Sequence, residues 1–308
     1  MKKIDYRNAF FDEFVKIALK DQNIILLTAD TDAESLKKFK NQCPERFINT
    51  GVAEQETINL AAGLALSGKK VFIYSLLPFI TMRCYEQIKI NICSMKLPIT
   101  IIGLGTGLSF SYYGPAGHGV IDIGLMRMLP EIKILNPADP ISAEKFAHIA
   151  YKSNTPVYIR LHKAQDLPIY NKKSNFTNGF EEIIKGKKNC IITTGNIIKN
   201  IITKQKKLLK SKKISLIDLY QINPINEKKL KEKIKKYSRI ITIEENIYNS
   251  GIGSIISDLI MDNNLKIKLK RIAIKNEQCF KYGSIEWLHK HYSIDDKNLS
   301  KKIIKFIK

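Results

Sequence analysis

Long apolar runs are missing from this 308-residue sequence. No stretch approaches the ~18 consecutive apolar residues that cross a bilayer, so no membrane-spanning helix is expected. The opening residues, MKKIDYRNAFFDEF, bring acids where an export signal would carry its apolar core. An unexported, cytoplasmic protein is the expectation. Cysteine is sparse: Cys43, Cys84, Cys93, Cys190 and Cys279 are odd in number and form no Cys-x-x-Cys pair, which argues against a disulfide framework and a zinc site. Reduced, buried thiols are expected instead. His289 and His291 stand two apart near the end, but no cysteine or acid accompanies them at ligand spacing, so no metal site is expected there. Arginine is also scarce, supplying seven of the 51 basic residues. The net charge of +22 is therefore a lysine excess. The lysine runs 204–213 and 228–236 sit on helical patterns whose other face is Ile and Leu. Such runs read as solvated helix faces and not as a nucleic-acid surface, although the charge can attract phosphorylated metabolites or an acidic partner.

What is present is a repeated alternation of short apolar runs with longer helical patterns. Strands are expected at 24–28, 46–50, 71–75, 98–103, 132–136 and 156–161, then at 190–194, 214–219, 239–244 and 267–272. These runs are continuous Ile, Leu and Val, as in strands covered on both faces. Helices are expected at 6–20, 54–67, 82–95, 140–153 and 226–237. The alternation implies an α/β protein with two domains, each a mostly parallel sheet flanked by helices. A polar, aperiodic stretch around 165–179, holding Pro168, marks the boundary. The expected division is a first domain at 1–165, a linker at 166–180 and a second domain at 181–308.

Ligands of such sheets bind beyond the carboxyl ends of strands. The loops there are distinctive in the first domain and bland in the second (Thr194-Gly-Asn and Glu244-Glu-Asn). The strongest signal is RFINTGVAEQETINLAAGLALSGKKVFIYS, where a strand, a glycine turn and a helix rich in small residues meet at Glu54. By its residues alone Glu54 is either a first-turn acid stabilising the helix dipole by ~0.3–1 kcal/mol or a catalytic carboxyl. Gly103 to Gly119 contains GxG spacings but no GxGxxG opening a helix, so it is no dinucleotide fingerprint. Its small residues, with Tyr112 and Tyr113, read as a flexible loop over a site.

GVAEQ with its Ala/Gly-rich helix resembles the pyrimidine-domain signature of the transketolases and deoxyxylulose phosphate synthases. Four further stretches resemble the family in the right order: RCYEQIKINICSMKLPIT, YGPAGHGVIDIGLMRMLPEIKILNPADP, PVYIRLHK, and a C-terminal series running from IITTGN through IITIEENIYNSGIGS to KYGSIEWLHKHY. The resemblance implies a pyrimidine-binding domain followed by a transketolase C-terminal domain. It implies that Glu54 hydrogen-bonds the aminopyrimidine ring of thiamine diphosphate, favouring the imino form that deprotonates the thiazolium carbon. Asp30 matches a cofactor-side acid. Phe79, in the loop LLPFITMR, stands where an aromatic stacks on the pyrimidine, with a core-filling ring as its plain alternative. Arg83 either approaches the diphosphate or pairs with Glu86 on its own helix. His118 and Lys163 are the substrate candidates, His118 as an acid/base and Lys163 where the family often has a phosphate-binding arginine.

The sequence also departs from the sugar-handling members. Gly117 replaces the family's histidine in GPTHQG, Tyr113 replaces an acid before GP, and Gly105 replaces an upstream histidine. No Gly-Asp or Asp-Gly pair occurs, so the family's GDG…N motif for the metal and diphosphate is absent. The resemblance therefore implies a partner, an N-terminal transketolase-like subunit that holds most of the thiamine diphosphate and Mg²⁺, in a heterotetramer containing a homodimer of this chain. The implied activity is transfer of a two-carbon ketol unit between sugar or sugar-phosphate substrates. The β chain of a 2-oxo acid dehydrogenase E1 component, or a non-catalytic scaffold paralogue, remain the alternatives.

Overall fold

The computed structural model describes residues 3–277, 280 and 282–308. The chain is a two-domain α/β protein built on mostly parallel sheets flanked by helices. It divides into two compact units, Met1–Thr106 with Leu125–Ser174, and Gly107–Gly124 with Asn175–Lys308.

In the first unit the strands are β1 (Ile4–Asp5), β2 (Ile24–Thr28), β3 (Phe47–Asn49), β4 (Lys70–Leu76), β5 (Thr100–Leu104), β6 (Lys133–Leu135), β7 (Val157–Leu161) and β8 (Gln165–Asp166). The parallel sheet runs β6-β7-β5-β4-β2-β3. Every residue of β2, β5 and β7 is buried, which is why these strands read as unbroken apolar runs. The two-residue strands β1 and β8 form a separate antiparallel ribbon that the sequence does not announce, because two residues show no period.

Helix α1 (Tyr6–Ala18) starts at Asp5, whose carboxylate accepts the Arg7 N–H at 2.8 Å and is gripped by the Arg7 guanidinium. Its buried face carries Phe10, Phe11 and Phe14. Phe14 meets Phe72 of β4 and Phe39 of α2 (Leu36–Gln42) edge-on, with ring centroids 4.9 and 5.3 Å apart. Helix α3 (Glu54–Leu66) follows β3 directly. The helix expected at 82–95 takes another form. Two π-helical segments, Phe79–Arg83 and Ile88–Ser94, flank a single α-turn at Tyr85–Gln87. The wider i→i+5 winding fits extra residues into the turns, and a 3.6-residue period cannot signal it.

The second unit's sheet has the order Lys268–Ile274, Arg239–Ile247, Asn189–Thr193, Ile214–Asp218, Glu181–Ile184. The last strand is antiparallel and was not expected from sequence, since its half-buried EEII is too short an apolar run. The lysine-rich runs behave as amphipathic helices. Leu230 and Ile234 of Glu227–Ile234, and Leu209 of Lys206–Ser211, face inward. Glu244, within the strand Arg239–Ile247, accepts the backbone N–H groups of Ile252 and Gly253, each at 2.8 Å, and so caps the helix Ile252–Asp262. Cys43, Cys84, Cys93 and Cys190 are free, buried thiols, while Cys279 lies outside the described residues. No helix among the described residues is long and apolar enough to cross a membrane.

Glu182 ties the edge strand to the neighbouring helix through Lys233 at 2.6 Å and the Tyr237 hydroxyl at 2.7 Å. Burial works to raise its pKa, but these partners outweigh it and hold the carboxyl down to about 2. A depressed folded-state pKa gives stability that is present above the ordinary carboxylate range and lost as pH falls. The second unit should therefore lose this contribution between its ordinary value of 4.5 and about 2. Glu182→Gln should flatten that part of the profile, as measured by urea unfolding across the acid range.

Candidate functional site

The loops after β2 and β3 are fastened by one side chain. Asn49 Oδ1 accepts the backbone N–H of Asp30 at 3.0 Å and of Gly51 at 3.1 Å. The Thr50 N–H donates to the Thr28 carbonyl at 2.9 Å, continuing the ladder one step past β3. Gly51 then takes φ +72°, a conformation that a β-carbon disfavours, and turns the chain toward α3. The Thr50 and Thr57 hydroxyls bond each other at 2.6 Å, and Thr57 also donates to the Ala53 carbonyl at 2.9 Å. This stapled turn places Glu54 at the first position of α3.

Glu54 is only 2% exposed. The helix N-terminus favours a carboxylate but does not require that it be buried, and burying one needs a charged or hydrogen-bonding partner. Arg83 supplies it, donating from Nη1 to Glu54 Oε2 at 2.6 Å. The same guanidinium lies over the Phe79 ring, with Cζ 4.8 Å from the centroid. Arg83 thus reaches across to another helix and not to Glu86 on its own segment. The Cys84 thiol, buried beside this pair, is pushed up to about 12 by burial first and by the Glu54 charge second.

Three of the residues singled out from sequence, Glu54, Phe79 and Arg83, are therefore in direct contact or share a partner. Asp30 is tied through Asn49 to Gly51 in the turn before Glu54: its backbone is held at φ +48°, and the residue is exposed. Lys163 is exposed just beyond β7. Asn49 is a positioning residue that sequence reasoning missed. An amide ending a strand before Thr-Gly was the available signal.

His118 belongs to the second unit. Its loop is closed by a reciprocal pair of backbone bonds between Gly107 and Gly119, at 2.9 and 2.8 Å. The His118 ring is 5% exposed and bonds the Ser111 backbone, while Nε2 has no hydrogen-bond partner. Burial lowers its pKa and outweighs that hydrogen bond, which favours the neutral ring. The family pattern would put a histidine at 117, yet a β-carbon there would stand 2.4 Å from the Tyr113 β-carbon. Within the same unit Glu245 bonds His289 at 2.5 Å, and the carboxylate outweighs burial to raise the histidine's pKa. Asn246 next to it is 1% exposed with neither amide atom partnered, a feature that the bland reading of the Glu244-Glu-Asn loop missed.

Comparison with known proteins divides the chain by sequence, and places residues 107–124 with the first domain and not with the second compact unit. A family model for the transketolase pyrimidine binding domain matches residues 2–166, and one for the transketolase C-terminal domain matches residues 180–299. An apulose-4-phosphate transketolase subunit of Actinobacillus succinogenes is 29% identical over 291 residues, covering 94% of each chain. A putative transketolase C-terminal section of Methanocaldococcus jannaschii is 29% identical, covering 98% of this chain and 96% of that one. The 1-deoxy-D-xylulose-5-phosphate synthase of Clostridium perfringens is 28% identical over 98% of this chain but only 49% of its own length. Among solved structures, a split gene transketolase described as an inactive beta4 tetramer superposes with a TM-score of 0.86 at 25% identity, covering 98% of both chains.

Because Asn49 holds two loop amides, Asn49→Ala should cost about 1–2 kcal/mol of stability and loosen the turn before Glu54. Faster hydrogen exchange at the Asp30 and Gly51 amides, with the rest of β2 unchanged, is the expected signature.

Proposed function

The chain belongs to the transketolase family, and from that premise we propose that it is one half of a two-chain thiamine-diphosphate enzyme transferring a two-carbon ketol unit between sugar or sugar-phosphate substrates. The observation that carries the reading is the Glu54 carboxylate, buried in the GVAEQ turn and sharing Arg83 with the Phe79 ring. These residues fit the pyrimidine end of the cofactor: a buried carboxylate for a ring nitrogen and an aromatic face for the ring plane. When bound, the cofactor supplies a centre that holds a carbanion during C–C cleavage and formation.

Each side chain of this chain then has a task. Glu54 holds a proton at the pyrimidine nitrogen, and Phe79 fixes the plane of the ring. Asp30 stands on the cofactor side of the same turn. His118, neutral and with Nε2 unpartnered, takes and returns a substrate proton. Lys163 offers a point charge to a substrate phosphate. The diphosphate and Mg²⁺ are assigned to an N-terminal transketolase-like partner. The names of two relatives support this, one a transketolase subunit and the other a split gene product whose beta4 tetramer is inactive. A heterotetramer with two copies of each chain follows from the two-fold symmetry usual in oligomers.

Reconstitution with the diphosphate-side chain tests the reading. Glu54→Ala should lower ketol transfer by about 10²–10⁴-fold with assembly intact, the range expected for a lost acid/base group. Unchanged turnover would make this chain a scaffold. The sign of the His118 shift sets a second expectation. A lowered pKa keeps the base form populated below the ordinary histidine value of ~6.5. The acid limb of kcat/KM should therefore fall at lower pH than an ordinary histidine would give, and His118→Asn should remove it.

A further inference from the structure

Resting on the reading of Glu54 and Phe79 as the pyrimidine-facing pair, we propose that Arg83 is a positioning residue that occupies this pair in the cofactor's place and must be displaced when the pyrimidine binds. The argument starts from shape and charge. A guanidinium is a planar, delocalised cation with N–H groups in its plane, able to stack by its face and to donate by its edge. Arg83 does both at once, with its face 4.8 Å from the Phe79 centroid and its Nη1 2.6 Å from Glu54 Oε2. An aminopyrimidine held by an acid and an aromatic uses the same two contacts. One planar group is thus exchanged for another on the same ring and the same carboxylate.

The two partners of the ion pair differ in freedom. The Arg83 side chain is 45% exposed, whereas that of Glu54 is 3% exposed. Arg83 can swing its head into water along a flexible stem at small cost. Glu54 cannot leave without reversing the first turn of α3. Displacement therefore moves the arginine and leaves the carboxylate where the reaction needs it. Until then the guanidinium keeps the buried carboxyl paired, which an empty pocket would not do. The arrangement lowers apparent affinity, since only the fraction of molecules with Arg83 withdrawn can accept the ring. The π-helical winding of Phe79–Arg83 puts ring and guanidinium on one segment, so any shift of that segment moves both.

Thiamine, which carries the pyrimidine but no diphosphate, is the probe for the full chain, with binding followed by ligand-observed NMR. Arg83→Met should bind thiamine roughly tenfold more tightly than the unmodified chain, by removal of the competing state. The gain should vanish when Glu54→Gln is added, because the arginine acts through that carboxylate. Arg83→Gln, which keeps an N–H but neither charge nor delocalised plane, should show the same direction and serves if the methionine variant does not fold. Equal or weaker binding by the Arg83 variants, with Glu54→Gln still weakening the unmodified chain, would overturn the role of Arg83 and leave the site reading intact. Binding by no variant, or binding indifferent to Glu54→Gln, would overturn both.

Discussion

A carboxylate at the start of a buried helix has to be compensated, and much of the first unit's site follows from how that is done for Glu54. The helix N-terminus contributes one part. The rest comes from a guanidinium 29 residues later in the chain, which the π-wound segment after β4 delivers to Oε2. The turn before α3 is fixed from the other side by Asn49 and by the paired hydroxyls of Thr50 and Thr57. Remove the buried charge and none of these devices has a purpose at that position. A solvated first-turn acid would need no distant arginine, no stapled turn and no aromatic face nearby.

A comparable use of acids runs through the molecule. Acidic residues number 29 against 51 basic ones. Several of them are committed inside to backbone or single ionic partners. Glu244 caps the helix Ile252–Asp262, and Glu182 holds Lys233 and Tyr237. Asp139, in the NPADP stretch, caps the helix Pro140–Tyr151 and also accepts the N–H groups of Ile169 and Tyr170 at 2.7 and 2.8 Å. The net charge already counts these acids, so the excess is one of lysine number. Those lysines lie on helices whose other face is buried, as with Leu230 and Ile234 of Glu227–Ile234, which weakens the charge as a sign of nucleic acid.

Most of the fold was legible because both-sided burial leaves a plain mark. Runs such as Ile24 to Thr28 carry no alternation, and the structure buries every residue of that strand. The winding after β4 was not legible, since RCYEQIKINICSM has an adequate helical period and only backbone geometry distinguishes π from α. The edge strand Glu181–Ile184 was hidden by its two glutamates, one of which points inward to an ion pair. At the site, the residue types were readable and their partners were not. Glu54, Phe79 and Arg83 were each singled out by the resemblance of their local motifs to the family. That the arginine answers the glutamate and not Glu86 is a long-range fact, set by the approach of two segments that no spacing encodes.

The departures from the sugar-handling pattern are best understood together. Tyr113 stands where an acid usually precedes the Gly-Pro pair, and Gly117 where a histidine usually follows it. The structure shows how both positions are packed. The Tyr113 ring stacks on Phe110, centroids 5.3 Å apart, and its β-carbon sits 2.4 Å from where a side chain on residue 117 would begin. A β-carbon at 117 also meets the Phe110 β-carbon at 3.2 Å, so the loop has no room for one. Any residue with a β-carbon at 113 demands glycine at 117 in this loop conformation, and the Tyr113 ring adds an aromatic stack on Phe110. His118, one position on, is the imidazole the loop retains, with Nε2 unpartnered and its pKa lowered by burial. A loop that had merely decayed would lose its polar groups without packing the space they left. This one fills that space with the Tyr113 ring stacked on Phe110.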